Sequence, residues 1–144
     1  MRHLENASPT REALIRRFVR ALERSDTAEL RAMIANRAEY AYLYYPTGPN
    51  SRPPYAQQAG LSWFLLIEDS QKGVTRAVQR YGGRPLQLRG YACPGEPRHE
   101  GENTVWPPCV LRVGPGRDTV SKRLFGVILE RGGRFKFLSY ANDL

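Results

Sequence analysis

Hydrophobic residues recur at helical spacing near the start of the chain. Leu14, Phe18 and Leu22 lie four positions apart, a spacing that places side chains on one face of an α-helix. Ser8 precedes this stripe and suits the N-cap position. A second, shorter helix is predicted to open at Asp26, whose side chain can cap it. The pattern therefore predicts two helices, each burying one apolar face.

The period changes from helical to alternating over residues 38–45. Three tyrosines fall on one side of the alternation: Tyr40, Tyr42 and Tyr44. Such alternation predicts a β-strand, because successive side chains of a strand point to opposite faces. Residues 46–54 are rich in proline and glycine and predict a loop. A third, long helix is predicted to start at about Tyr55 or at Ser62 and to end at Gly82 and Gly83.

The last part of the chain, residues 119–142, predicts a long β-hairpin. Gly132 and Gly133 separate two β-rich runs, and glycine takes the positive φ angles that a two-residue turn requires. The predicted opposite pairs are Arg131–Arg134, Ile128–Phe137, Phe125–Tyr140 and Lys122–Asp143. Both faces of this hairpin carry apolar residues, so both need cover. The helices provide one cover, and the other is a second sheet, a ligand cavity or a second subunit.

Two further strands are predicted at residues 86–93 and 109–113, with a cysteine at one end of each. Cys93 and Cys109 bracket a loop rich in proline and glycine. If the two strands pair, a disulfide fits the geometry and stabilises the fold by about 3 kcal/mol through loop closure. Two buried thiols are the alternative. We predict the disulfide, because this loop has little else to hold it.

Length and charge set limits on the class of protein. We predict a tail, residues 1–7, and one α+β domain over residues 8–144. The net charge of +8 comes mostly from scattered arginines without a nucleic-acid-binding motif, so nucleic acid is not an expected partner. No apolar run is long enough to span a membrane. We expect a soluble protein, which is extracytoplasmic if the disulfide forms and a signal segment has been removed.

The order of elements is helix, helix, strand, helix and four strands. This order resembles the nuclear-transport-factor-2-like superfamily, which includes ketosteroid isomerases and polyketide cyclases. The residues that carry the resemblance are the helix pair 8–34, the strand 38–45 and the terminal strands 110–113, 120–129 and 135–140. The resemblance implies three helices packed in the concave face of a strongly bent mixed, mainly antiparallel sheet, in a cone-like form. It also implies a pocket at the open end and homodimers formed through the outer sheet face.

Two acidic residues, Glu68 and Asp69, lie in the third helix beside an apolar stretch. In a closed pocket, desolvation would raise the pKa of such a carboxyl group and make it a general base. The alternative is a solvent-facing position in which Glu68 pairs with Lys72, four residues later. These two acids are the candidate catalytic groups.

Aromatic and cationic residues are the candidate ligand-binding groups. They are Tyr40, Tyr42, Tyr44, Trp63, Arg123 and Tyr140. A tyrosine stripe can donate phenol hydrogen bonds to a ligand oxygen, although such stripes also serve packing. Arg123 lies on an apolar strand face, where its charge needs a partner or a ligand anion unless it reaches solvent at the sheet edge. No spacing of ligand residues matches a metal site, and no metal or cofactor is expected.

Together with the homodimer and the pocket that the resemblance implies, these residues favour a small-molecule-binding domain with an apolar pocket, and we expect it to be a homodimer. If the domain is an enzyme, we expect cofactor-free acid/base catalysis, such as isomerisation, cyclisation or hydration of an apolar, oxygen-bearing substrate. Whether the domain is catalytic stays open. The alternative function is a non-catalytic protein-interaction or accessory module that uses the outer sheet face.

Overall fold

A computed structural model of the protein describes residues 3–141 and has the predicted α+β class. The described residues form four α-helices: α1 (Arg11–Glu23), α2 (Thr27–Ala32), α3 (Arg37–Glu39) and α4 (Ala59–Tyr81). They also form seven strands: β1 (Leu88–Ala92), β2 (Arg98–Glu100), β3 (Asn103–Trp106), β4 (Val110–Val113), β5 (Val120–Lys122), β6 (Ile128–Arg131) and β7 (Arg134–Phe137). All four α-helices precede the seven strands in the described chain, whereas the predicted order placed a strand, residues 38–45, before the long helix.

The strands are divided between two antiparallel sheets. One sheet has the order β1-β4-β5, and the other has the order β2-β3-β6-β7. The β2–β3 hairpin lies between β1 and β4 in the chain but pairs with β6 of the second sheet. We predicted three helices in one bent, mixed sheet. Four helices and two separate sheets are found instead in the described residues, and the cone-like form is not confirmed.

The register of the terminal hairpin is confirmed. Arg131 lies opposite Arg134 and Ile128 opposite Phe137, and an isolated bridge joins Phe125 to Tyr140. Gly132 and Gly133 have φ angles of +60° and +73°, which suit a tight two-residue turn. The hairpin is nevertheless shorter than predicted, because Lys122 pairs with Leu111 in the other sheet. Its predicted partner Asp143 and the hairpin end at Asn142 lie outside the described residues.

The terminal hairpin is covered on both faces, as its two apolar faces predict. Ile128 and Phe137 belong to a main core cluster that includes residues of α1 and α2. Leu129 and Leu138 belong to a second cluster with Leu43, from the segment that follows α3. The second cover therefore comes from the chain itself, and the hairpin does not require a partner subunit to bury this face.

The segment 38–45 is helical, so its assignment as a strand is wrong. Asn36 and Glu39 form a capping box that starts α3, and a π-helical turn, Tyr40–Tyr44, continues it. Tyr40 and Tyr44, four residues apart, are buried, whereas Tyr42 is 72% exposed. This burial follows a helical period, and the alternation of tyrosines is misleading because Leu43 between them is buried as well.

The chain before α1 packs against the domain. Thr10 is the N-cap of α1 and accepts a hydrogen bond from the backbone of Ala13, so the assignment of Ser8 as the cap is wrong. Ser8 instead exchanges backbone hydrogen bonds with Phe135. Leu4 is buried in the second cluster. The described part of the predicted tail is therefore part of the fold. Asp26 caps α2 as predicted.

Cys93 and Cys109 form the predicted disulfide. The strands they adjoin, β1 and β4, pair with Ala92 opposite Val110, so the two cysteines follow in register. Their Cα atoms are 4.1 Å apart. The loop that this bond closes contains the β2–β3 hairpin. The disulfide therefore holds together the two points at which this loop leaves β1 and enters β4.

Candidate functional site

A cleft of about 620 Å³ separates α2 and the α2–α3 connection from α4. Ile34 and Val74 form its buried floor, and half-buried Trp63, Ile67 and Val78 form its wall. We call this volume the α2–α4 cleft. Its size falls in the range of small-molecule sites, and its lining is largely apolar, as such sites usually are.

The difference in length between the two helices leaves this cleft open. At 1.5 Å per residue, the 6-residue α2 is about 9 Å long, whereas the 23-residue α4 is about 35 Å long. Trp63, Ile67, Val74 and Val78 recur at helical spacing on one face of α4. The short α2 cannot cover this whole stripe, so its ends and edges stay partly exposed.

The mouth of the α2–α4 cleft is polar and basic. Arg31 and Arg37 line it and are exposed, together with the amides of Asn36, Gln71 and Gln79. Among the described residues, no carboxylate, histidine or cysteine lines this cleft. Within residues 3–141, neither of the two arginine side chains forms an ion pair or hydrogen bond. The cleft thus combines an apolar interior with two cations at its opening.

Trp63 is the one residue among the predicted site groups that lines this cleft. Its ring also lies 5.7 Å from the ring of Tyr40, which is buried behind it. The Tyr40 hydroxyl hydrogen-bonds with Ser62, which also accepts a hydrogen bond from Asn50. Tyr40 therefore supports the wall of the cleft and does not face its interior.

A smaller pocket of about 330 Å³ brings together three other predicted residues, Tyr40, Tyr44 and Asp69. Burial, reinforced by the nearby Glu100 carboxylate, raises the pKa of Tyr44 to about 12. The phenol is therefore a neutral hydrogen-bonding group at physiological pH. Tyr42 does not line this pocket and is exposed, because the helical turn directs it away from its two neighbours.

The predicted catalytic acids lie on the exposed surface of α4. Glu68 forms an ion pair with Lys72, with 3.8 Å between Oε1 and Nζ, and lines neither the α2–α4 cleft nor the smaller pocket. Asp69 lies at the edge of the smaller pocket. A general base is activated by desolvation, and neither exposed carboxylate has that environment. Their catalytic role stays a prediction.

Arg123 and Tyr140 line a third, shallow cleft of about 480 Å³ beside Phe125 and Ser139. The Tyr140 hydroxyl donates a hydrogen bond to the carbonyl of Leu30, and burial raises the pKa of this phenol well above its usual value. Tyr140 therefore serves the core, whereas Arg123 is exposed. The predicted ligand-binding residues are thus distributed over separate places.

Two features were not predicted from the sequence: the cleft arginines, Arg31 and Arg37, and the buried ion pair between Glu39 and Lys136. A signal for Lys136 exists, because it lies between Phe135 and Phe137 in a strand that needs cover on both faces. Nothing in the sequence pattern brings Arg31 and Arg37 beside α4, because that placement depends on how the helices pack.

Comparison with known proteins gives no relative: the chain matches no protein-family model, no curated protein and no solved structure. The resemblance to the nuclear-transport-factor-2-like superfamily therefore stays a prediction. Within residues 3–141, no three histidine, cysteine or acidic side chains lie close enough together to hold a metal ion. No helix in the same range has the length and apolar character needed to cross a membrane.

Proposed function

We propose that the protein binds a small apolar molecule in the α2–α4 cleft. The observation that carries this proposal is an apolar volume of about 620 Å³ whose wall residues Trp63, Ile67 and Val78 stay partly exposed. Covering these side chains with an apolar ligand removes their surface from water, which favours binding by roughly 25 cal/mol for each Å² buried.

The proposed activity is binding rather than acid/base catalysis. The α2–α4 cleft has no carboxylate or histidine in its described lining, and Glu68 and Asp69 are not part of it. Isomerisation, cyclisation or hydration by Glu68 would require a substrate on the outer surface of α4, and Asp69 is exposed at the edge of the smaller pocket, so water competes for both carboxylates. Binding needs only the shape and polarity of the cleft.

Trp63 allows a direct test, since the chain's other tryptophan, Trp106, lies outside the cleft lining. In a Trp106→Phe background, Trp63 reports on the cleft by energy transfer to the neutral apolar dye N-phenyl-1-naphthylamine. Saturable transfer, lost when Thr75→Phe fills the cleft, supports the proposal. Lys72→Phe adds the same group to α4 outside the cleft lining and is the control. Transfer that is not saturable, or is equal in both variants, overturns it.

A second candidate function is contact with another copy of the protein through α4. Leu61, Phe64 and Leu65 are 50%, 57% and 45% exposed and lie at positions i, i+3 and i+4 of the helix. This apolar face supports an interaction surface better than the sheet does, because both faces of the terminal hairpin are covered within the chain. A homodimer formed here would bury these three side chains.

Sedimentation velocity tests the second candidate. Phe64→Glu should convert a concentration-dependent dimer to a monomer, because it places a charge in an apolar contact. Val120→Glu changes an exposed apolar residue of β5 and should leave the dimer intact. A protein that stays monomeric at every concentration excludes this candidate and leaves the ligand-binding proposal unaffected.

A further inference from the structure

The charge at the mouth of the α2–α4 cleft points to the chemistry of its ligand. We infer that this ligand is an amphipathic anion, with an apolar chain in the cleft and an acidic headgroup between Arg31 and Arg37. The inference rests on the proposed function and goes beyond it by specifying the headgroup. Neither arginine has an acidic partner among residues 3–141, the other polar lining residues are uncharged, and the cleft changes from an apolar floor to a basic mouth.

Some arginines of this chain have an acidic partner within the described residues, and others do not. Arg16 pairs with Glu12, Arg98 with Glu100 and Arg131 with Glu102, through distances of 3.2, 3.8 and 2.6 Å. Arg31 and Arg37 have no such partner among residues 3–141, although both line the same opening. Two uncompensated cations at one opening attract an anion and repel a cation.

The other lining residues do not compete for these two guanidinium groups. The polar side chains beside them are the amides of Asn36, Gln71 and Gln79, which are uncharged. A guanidinium group binds a carboxylate with two parallel hydrogen bonds and is weakly hydrated, so it suits an anionic headgroup at a partly dry site. Charge complementarity therefore selects an acid over an alcohol or an amine with the same chain.

The apolar part of the ligand has a defined place. Ile34 and Val74 close the bottom of the cleft, and Trp63 and Ile67 form its wall. A headgroup at the arginines leaves an unbranched chain in contact with these side chains. This arrangement keeps the ligand's charge at the solvent-exposed opening, where its desolvation costs least.

Three probes with the same chain and different headgroups test the inference: decanoate, 1-decanol and decyltrimethylammonium. Binding is measured by calorimetry below the concentration at which the probes aggregate, at a pH where decanoate is ionised. We expect decanoate to bind about tenfold more tightly than decanol, and the ammonium probe to bind most weakly. Added salt should reduce the advantage of decanoate, because the arginines are exposed.

Matched charge variants assign the effect to the cleft. Arg31→Gln with Arg37→Gln should lower decanoate affinity to that of decanol and leave decanol binding unchanged. Arg117→Gln with Arg134→Gln removes the same charge at two exposed positions outside the cleft lining and should preserve the preference. Equal affinity for decanoate and decanol in the wild type overturns the anion inference but leaves apolar binding intact. Absence of binding by all three probes overturns the proposed function as well.

Discussion

At the scale of single residues, a buried ion pair connects three parts of the fold. The Lys136 Nζ donates a hydrogen bond to Glu39 Oε1 at 2.8 Å, and the two side chains are 2% and 0% exposed. The Glu39 carboxylate also accepts hydrogen bonds from the backbone N–H groups of Asn36 and Glu5. It therefore links β7, the start of α3 and the N-terminal segment.

Removing one member of this pair should destabilise the protein strongly. Lys136→Met leaves the Glu39 charge buried without its counterion, and we expect the free energy of unfolding to fall by about 3–5 kcal/mol. Glu39→Gln should also destabilise the protein. One carboxylate oxygen, which accepts a hydrogen bond, becomes an amide nitrogen, which is a donor and would face another N–H donor. In urea unfolding, the double variant should cost about 1–3 kcal/mol less than the sum of the single variants. Additive costs would contradict coupling between the two residues.

The stability of the protein at alkaline pH should depend on the buried phenol of Tyr44. The pKa of Tyr44 is raised by burial from 10.0 to about 12, so the folded protein holds this proton more tightly than the unfolded chain. The stabilisation is present in full below pH 10 and is lost as the pH rises through about 12. At about 1.4 kcal/mol per unit of pKa, the loss is about 2–3 kcal/mol.

Unfolding free energies measured in urea between pH 9 and 12 check this expectation. Tyr44→Phe should reduce the alkaline decrease, because the titrating group is gone. Tyr42→Phe, a change at an exposed neighbour, should leave the decrease as it is in the wild type. The assignment fails if both variants show the same decrease as the wild type.

At the scale of elements, the glycines of α4 have opposite roles. A Cβ atom on Gly73 would overlap the carbonyl oxygen of Ala141, which passes against the helix. A Cβ on Gly60 would meet no atom within 4 Å. Gly73 therefore permits a close approach of two backbone segments, and this explains why a residue with poor helix propensity lies in the middle of a long helix.

Two alanine substitutions separate these roles by thermal or urea unfolding. Gly60→Ala should stabilise the protein by up to about 1 kcal/mol, because alanine favours the helix. Gly73→Ala gains the same propensity but creates the overlap, and we expect a net loss of about 1–3 kcal/mol. A stabilising effect of Gly73→Ala would show that the C-terminal segment does not pack on α4 as described.

Elements with a local cause were predictable from the sequence. The Gly132–Gly133 turn fixes the hairpin register, and the strands beside Cys93 and Cys109 place the cysteines together. The tyrosine segment was not predictable in this way, because a short apolar run fits both periods. Its helical form depends on the Asn36–Glu39 capping box, and Glu39 is held in place by Lys136, nearly a hundred residues away in the chain.

At the scale of the whole molecule, the candidate site depends on packing rather than on sequence neighbours. The apolar face of α4 was predictable from its period, including Trp63 and Ile67. Part of this face stays open because α2 is short. The same packing of the helices brings Arg31 and Arg37 to the opening of the cleft. The site thus combines a predictable stripe with a gap that only the assembled helices define.

The two core clusters share one sheet, and this arrangement predicts how the molecule unfolds. Ile128 of β6 lies in the main cluster, and its neighbour Leu129 lies in the second cluster on the opposite face. Loss of either cluster exposes one face of the same strands, so neither cluster is stable without the other. We therefore expect a single cooperative transition.

The two tryptophans can report the clusters separately, because Trp106 packs against the main cluster and Trp63 against the second. In Trp63→Phe and in Trp106→Phe, the fluorescence of the remaining tryptophan should have the same urea midpoint as the far-ultraviolet circular dichroism of that variant. An earlier fluorescence midpoint for Trp63 alone would mean that the second cluster melts first. The terminal hairpin would then be stable with one face uncovered, contrary to the two-sided burial that its sequence requires.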